Sequence, residues 1–350
     1  MKDVLLNDWP SHELEQVKNC PVCGGEKREV LHENLVDNVF FVAPGRWTLY
    51  CCTQCNSAYL DPRPNLENIG KAYGTYYTHE AGFVAEDTSK IGYSRRLRRM
   101  LANGYLNHRY GTQRQHASVF GIWLARLLPS QRQALDVGFR YLPKPVCGQR
   151  LLDVGCGNGN FLVSAQEAGW QVSGIEPDAK AAEVAHDRGL EVTVGTIDDL
   201  SHIANFFDVI TVSHVIEHVH EPREFLQHIH RLLKPGGIVF IDTPNIESSG
   251  ARLFGKNWRG LETPRHLVLF TPNSLTKLLF DEGFDHVFPQ CRTTVQKGMY
   301  LSSMRMVEGL SPYSSQSIKL PLTHRIKLIL SRFNSSHHEF VTLTARKKTA

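Results

Sequence analysis

Long apolar runs are missing from this 350-residue chain. No stretch approaches the roughly 18 residues that a membrane-spanning helix needs. Met1 to Pro10 lacks the basic-then-apolar order of a secretory leader, so the expected compartment is the cytoplasm. Cysteine is sparse, with 8 residues. That is far below the density of a disulfide-held scaffold, and thiols or metal ligands are expected instead. Excess charge of one sign is missing too. The 39 Lys and Arg against 35 Asp and Glu leave a net +4, too little to argue for a nucleic-acid partner. No basic stripe with interleaved aromatics marks a nucleic-acid track, and internal repeats are absent. What remains is ordinary, with 41% hydrophobic and 21% charged residues. It describes a globular protein with a real core, and the length allows two or three domains of about 100–200 residues.

Three zones differ in texture. Residues 1–60 carry five of the eight cysteines. Residues 65–145 read as mainly helical and rich in Arg and Tyr. From Gln149 onward, short apolar strands alternate with amphipathic helices, which predicts βαβ units and a parallel sheet. Strands are predicted at Leu151–Gly155, Gln171–Pro177, Glu191–Gly195, Phe207–Val215, Gly237–Asn245, His286–Thr293 and Glu339–Arg346. Helices are predicted near Asn160–Ala168, Asp178–Arg188, Pro222–Leu233 and Pro272–Asp281. Phe225, Leu226, Ile229, Leu232 and Leu233 form the inward stripe of the third helix. Thr271 caps the fourth, with Pro272 at its first position and Gly283 past its end. Residues 294–336 interrupt the pattern.

The central signal is LLDVGCGNGNF, Leu151 to Phe161. A strand ends at Gly155, glycines follow at 157 and 159, and a helix begins. Glu176 ends the next strand, 21 residues after Gly155, where a carboxylate can accept both hydroxyls of a ribose. A nucleoside ligand is implied. Dinucleotide sites use G-x-G-x-x-G with a pyrophosphate on the helix N-terminus. Here the pattern is G-x-G-x-G, and Asp153 would repel a pyrophosphate. It would attract the ammonium of a methionine moiety, so the loop favours S-adenosylmethionine over NAD.

On these residues the sequence resembles the class I SAM-dependent methyltransferases over about residues 149–347. The matching pieces are LLDVGCGNGNFL, GWQVSGIEPD, FDVITVSHVIEHVHEP, LLKPGGIVFIDTPN and EFVTLTARK. The resemblance implies an α/β, Rossmann-like seven-stranded sheet whose last strand is antiparallel. It implies that Asp153, Gly155 and Gly157 shape the SAM pocket and that Glu176 binds the ribose. It puts Thr196 to Asp198 near the adenine, with Asp198 standing in for the acidic residue usual at Thr196. CPVC, a second CxxC followed by DPRP and AYGTYY, and NWRGLETPRHLVLFTPNSL resemble bacterial zinc-ribbon methyltransferases of surface-polysaccharide or deoxysugar pathways. The domain expectation is a zinc ribbon at 1–64, a helical lid or linker at 65–148, and a methyltransferase domain at 149–350 that carries the 294–336 insert.

Cys20-Pro-Val-Cys23 and Cys52-Thr-Gln-Cys55 are two CxxC pairs with 28 residues between them. Two such pairs complete the closed tetrahedral site of a structural zinc. Cys51 is the alternative to Cys52, but only Cys52 has the x₂ spacing to Cys55. A two- or three-stranded insert is expected to fill the gap.

Ser213-His214-Val215-Ile216-Glu217-His218 closes the fourth strand, where side chains of open α/β sheets face ligands. Methyl transfer depends on aligning acceptor and donor, and a hydroxyl acceptor also needs a base. The candidate catalytic residues are His214, His218 and His266, with Ser213 on the cofactor side. The stretch also resembles ubiquinone-type O-methyltransferases, whose E-x-x-E-H metal ligands become H-x-x-E-H here. Three alternatives stay open: a base, a second divalent metal near Glu217, or residues that only brace the loop and cap the helix.

Arg95, Arg96, Arg98, Arg99, Arg109 and Arg114 make either a phosphate site or a solvated face. Tyr73, Tyr76 and Tyr77, with Trp258 and Arg265, either line an acceptor pocket or pack in the core. The basic and apolar segment Ile318–Phe333 either lies on a membrane surface or packs as a helix over the sheet. The expected function is SAM-dependent methylation of a small molecule, a sugar hydroxyl or carbon. The alternatives are an RNA- or protein-modifying enzyme that uses the ribbon for recognition, and a non-catalytic SAM-binding protein.

Overall fold

The computed structural model describes residues 7–74, 92–332 and 334–349. Tyr76 and Tyr77 lie outside them. The chain begins with β1 (Leu14–Glu15), β2 (Arg28–Leu35), β3 (Trp47–Cys52), β4 (Ala58–Leu60) and β5 (Arg63–Pro64). Helices α1 (Tyr93–Tyr110), α2 (Phe120–Leu127) and α3 (Pro129–Gly138) follow. Next come β6 (Arg150–Val154), α4 (Asn160–Glu167), β7 (Gln171–Glu176), α5 (Ala179–His186), β8 (Val192–Val194), β9 (Phe207–Ser213) and α6 (Pro222–Leu232). The remainder is β10 (Leu233–Pro244), α7 (Ser249–Phe254), β11 (Val268–Leu269), α8 (Pro272–Asp281), β12 (Phe284–Pro289), α9 (Gln296–Val307), α10 (Leu322–Ser331) and β13 (Phe340–Lys347).

Seven strands form one sheet in the order β12-β13-β10-β9-β6-β7-β8. Strand β6 runs parallel to both β7 and β9, and β7 runs parallel to β8. This is the expected Rossmann-like sheet. Its inner strands are apolar without alternation because both faces are covered, as buried Leu151, Leu152, Val209, Ile210 and Val212 show. All five stripe residues are buried, four on α6 and Leu233 at the start of β10, where the helix stops one residue short of its expected end. Thr271 and Ser274 form a reciprocal capping box at α8, and Gly283 sits past its end at φ 86°.

The sequence misplaced the sixth strand. It starts at Phe284 and stops at Pro289, where the expectation was His286–Thr293, because Phe284 is an inward anchor directly after the helix stop. Two helices also escaped it. Helix α7 is too short to show a period, and α9 lies in the stretch that broke the pattern, whereas α10 falls within Ile318–Phe333, where a helix was one of the two readings.

The described residues separate into two units. One draws on Met1–Tyr76, Ser213–His230 and Ile241–Ala345. It holds a four-stranded sheet in the order β11-β4-β3-β2. The gap between the cysteine pairs is filled by β2 and most of β3, and β11 pairs antiparallel with β4, Val268 opposite Tyr59. Fully buried Arg265 anchors this unit. Its guanidinium grips Asp37 at 2.5 and 3.1 Å and donates to Ala72 O at 2.8 Å. Asp37 in turn accepts the backbone N–H groups of Phe40, Val42 and Ala43.

The other unit draws on Tyr77–Val212, Arg231–Phe240 and Arg346–Ala350. Its core joins Leu151, Leu162, Ala182, Ala185 and Val209 to Tyr105, Leu106, Tyr110 and Phe139 from the α1–α3 region.

Candidate functional site

The glycine turn after β6 is shaped by its backbone. Gly155, Gly157 and Gly159 all take positive φ. A Cβ on Gly157 would meet nothing within 4 Å, so the turn is open on that side, whereas one on Gly159 would strike Leu190 and Ala185 of the neighbouring layer. The first position leaves room for a ligand, and the second lets α4 pack closely. Gly157 N–H donates to Glu176 Oε2 at 2.8 Å, and Asp178 N–H to Oε1 at 3.0 Å. Burial pushes the Glu176 carboxyl up, outweighing these two bonds.

Asp153 is completely buried. Its Oδ1 pairs with the Arg140 guanidinium and accepts Thr211 Oγ1 at 2.9 Å, while its Oδ2 has no hydrogen-bond partner. Burial pushes this carboxyl up despite Arg140. An unpartnered buried carboxylate oxygen is costly and calls for a cation. Arg140 lies 3.7 Å over the Phe161 ring, and both it and Tyr141 hold positive φ. Sequence reasoning missed Arg140 because it stands ahead of the motif with no pattern of its own. Asp198 is exposed on a short turn that is capped by Thr196 and Asp199. Ser213 is half-buried at the end of β9.

In the other unit, the four cysteines converge. Cys20 Sγ lies 3.6 Å from Cys55 Sγ, and Cys23 Sγ 3.5 Å from Cys52 Sγ, with all four within 4.8 Å. Tetrahedral zinc with Zn–S near 2.3 Å sets sulfurs about 3.8 Å apart, so the donor set fits. The backbone matches too. Gly24 N–H bonds Cys20 O at 2.8 Å and Asn56 N–H bonds Cys52 O at 2.9 Å, one tight turn per pair. Cys51 stays outside the cluster. The hydrogen bond with Cys55 pushes Cys20 up, burial pushes Cys23 up to about 11, and the bond from Cys20 holds Cys55 down to about 5. A dication removes this split by taking all four as thiolates.

The histidines divide. Glu217, His218 and His266 bring one ligand atom each within 4.8 Å of the other two. His214 does not join them. Its Nδ1 lies 3.2 Å from Glu217 Oε1 and its Nε2 3.3 Å from Asp242 Oδ2, with Arg292 Nη1 at 3.4 Å. It holds φ 57°, a strained value for a non-glycine residue. The H-x-x-E-H triplet therefore does not supply one metal set. His266, from a distant loop, takes the third place.

His218 Nδ1 lies 3.0 Å from Arg265 O and 2.9 Å from the Tyr73 hydroxyl. His266 Nδ1 lies 2.8 Å from Gly260 O. Carbonyls only accept, which puts a ring proton on each Nδ1, so the neutral form of either ring carries its lone pair on Nε2. Burial holds His266 down to about 4, with Glu262 opposing, so the ring is neutral at pH 7. Burial pushes Glu217 up, but His214, by hydrogen bond and charge, and the charges of His218 and His266 outweigh it and hold the carboxyl down to about 2. Glu217 Oε2 also accepts Thr243 Oγ1 at 2.9 Å. Trp258 and Arg265 are fully buried and bonded, so they brace this region from within its core. Asp242 and Arg292 were missed. Asp242 lies inside the quoted IDTPN segment, so its place at the end of β10 was the available signal.

A family model described as a methyltransferase domain matches residues 95–287, more than half of the chain. The ubiquinone biosynthesis O-methyltransferase of Albidiferax ferrireducens is 38% identical over 109 residues, 29% of this chain and 43% of that protein. The mitochondrial protein of that name from Rattus norvegicus is 35% identical over 112 residues, 29% of this chain and 32% of its own length. The chain thus spans less than half of these curated relatives. Among solved structures, Haemonchus contortus phosphoethanolamine N-methyltransferase 2 with S-adenosyl-L-methionine aligns with 71% of this chain and 60% of its own at 19% identity and TM-score 0.45.

Proposed function

The chain belongs to the methyltransferase-domain family, and on that premise we propose that it moves a methyl group from S-adenosyl-L-methionine to a small molecule. The observation that carries this is the unpartnered oxygen of buried Asp153 beside the open turn at Gly157. That oxygen suits the ammonium of the methionine moiety, Arg140 suits its carboxylate, and Glu176 suits the ribose hydroxyls. Gly155 shapes the turn, with Ser213 and Asp198 as further cofactor-side residues. The bound cofactor supplies a methyl group activated on a sulfonium.

The relatives' names point to oxygen as the accepting atom. A hydroxyl must lose its proton as it attacks, and a neutral imidazole can take that proton. His266 and His218 each keep a lone pair on Nε2, and Glu217 stabilises the imidazolium that forms. The acceptor class we assign is a sugar hydroxyl, with the sugar carried on a nucleotide or a lipid. The four cysteines hold a structural zinc.

The clustering of Glu217, His218 and His266 supports a second reading, in which they hold a divalent cation. Such an ion supplies Lewis acidity toward a hydroxyl.

Methyl-labelled cofactor mixed with the protein and a native cell extract tests the first reading. Label is expected in water-soluble small molecules or lipid, and label in RNA or protein overturns it. Dialysis against a mild chelator separates the two roles of the cluster. Lost turnover that a divalent cation restores supports the ion, and unchanged turnover supports the imidazole.

A further inference from the structure

Helices α1 and α2 meet backbone to backbone. A Cβ on Gly104 would stand 1.8 Å from the Ser118 carbonyl oxygen, and one on Gly121 would stand 1.8 Å from that of Leu101. Ser118 N–H donates to Met100 O at 3.0 Å. With Gly121 and Ala125 turned inward, α2 presents Phe120, Trp123 and Leu127 outward, spaced i, i+3, i+7. These side chains are 73%, 63% and 75% exposed, and Val119 just before them is 70% exposed. A helix that is apolar on its inner and outer faces belongs in apolar surroundings on both.

Among the described residues, the exposed charged side chains of α1, α2 and α3 are all basic. Arg95, Arg96, Arg98 and Arg99 are exposed on α1, Arg126 on α2 and Arg132 on α3. The Arg126 guanidinium stands 4.9 Å from the Trp123 ring. Residues 92–135 contain no Asp or Glu. Asp136 comes next, buried and accepting the hydroxyls of Tyr105 and Tyr110 at 2.7 Å each.

We propose that the α1–α2 hairpin docks on an anionic lipid bilayer. The arginines meet the headgroups, and Phe120, Trp123 and Leu127 enter the boundary with the acyl chains. Charge complementarity selects this occupant. A second copy docked face to face would set these arginines against one another. RNA would match the charge and find rings at Phe120 and Trp123, but the rest of the exposed face, Val119 and Leu127, is aliphatic and gains only from an apolar medium.

Sedimentation of the full chain with vesicles tests this. Phosphatidylcholine vesicles containing about a third phosphatidylglycerol should bind at least tenfold more tightly than phosphatidylcholine alone, and salt should weaken the binding. Phe120→Ser with Trp123→Ser should cost about tenfold, and Arg96→Gln with Arg99→Gln about fivefold per arginine. All four positions are exposed, so thermal melting should stay unchanged.

Helix α10 supplies the control, since it also exposes Leu322, Ile326, Ile329 and Leu330. Retained binding in Ile326→Ser with Leu330→Ser supports the assignment, and lost binding moves the contact to α10 and overturns it. It is overturned as well if neither α1–α2 variant weakens binding. A dimer that Trp123→Ser disperses, without lipid binding, makes the face an interface between copies. Binding of RNA in preference to vesicles assigns it to nucleic acid.

Discussion

The glycine turn and the Glu217 cluster are built from opposite kinds of sequence. The turn draws Asp153, Gly155, Gly157 and Glu176 from one β-turn-α-β passage, and its geometry comes from backbone dihedrals that only glycine adopts freely. The cluster starts from the adjacent pair Glu217 and His218 but is completed from elsewhere. His266 arrives from a later loop, Tyr73 from the first quarter of the chain, and buried Arg265 holds the loop to Asp37. Local conformation suffices for the first, whereas the second exists only when long-range packing is complete.

If the four cysteines hold zinc as proposed, disrupting that packing at their site should give the largest effect. Cys52→Ser leaves three thiolates, and structural zinc supplies apparent folding free energy on the order of 10 kcal/mol. Zinc by elemental analysis should fall below half an equivalent, with loss of the cluster's activity and a partly unfolded chain by circular dichroism. Glu217→Gln should be milder for the fold and severe for turnover, down about 10²–10⁴-fold, with S-adenosylhomocysteine affinity kept within about twofold. An equal loss of affinity in calorimetry would erase the distinction between the two regions. Asp153→Asn should do the converse, weakening S-adenosylhomocysteine about 10–100-fold while zinc content stays at one equivalent.

The smallest effect is a pH slope from Glu339. This buried carboxylate accepts Gly250 N–H and Trp258 Nε1–H at 2.8 Å each, yet burial pushes it up to about 7. The folded chain then binds more protons than the unfolded chain between about pH 4.3 and 7. The stability this gives is complete below the unfolded value and is lost as pH rises through 7, about 4 kcal/mol in all. Glu339→Gln should flatten that part of the curve in chemical denaturation.

What the sequence revealed follows the same division. The alternation of strands and helices from Gln149 onward, the capped helix at Pro272 and the two CxxC pairs were legible because each is a local pattern with a physical cause. The partners of His218 were not, because Tyr73 and Arg265 carry no spacing that links them to it. His214 was grouped with Glu217 and His218 on proximity in sequence; it does bond Glu217, but its other ring nitrogen meets Asp242, and it stays outside the Glu217–His218–His266 set. Arg140 was invisible for a related reason. Nothing in a lone arginine before a strand says that it will meet Asp153. For Trp258 and Arg265 the sequence left a pocket and a core reading open, and their full burial agrees with the core reading.

The pairing of β4 with β11 has a consequence in time. The ribbon's own strands are complete by Leu60, yet Val268 and Leu269, which close its edge, come about two hundred residues later. At about 5–20 residues per second, a nascent chain carries that edge unpaired for roughly 10–40 s. During synthesis an open strand edge invites other chains. Early capture of zinc by Cys20, Cys23, Cys52 and Cys55 would keep that edge short and fixed while it waits for its last strand.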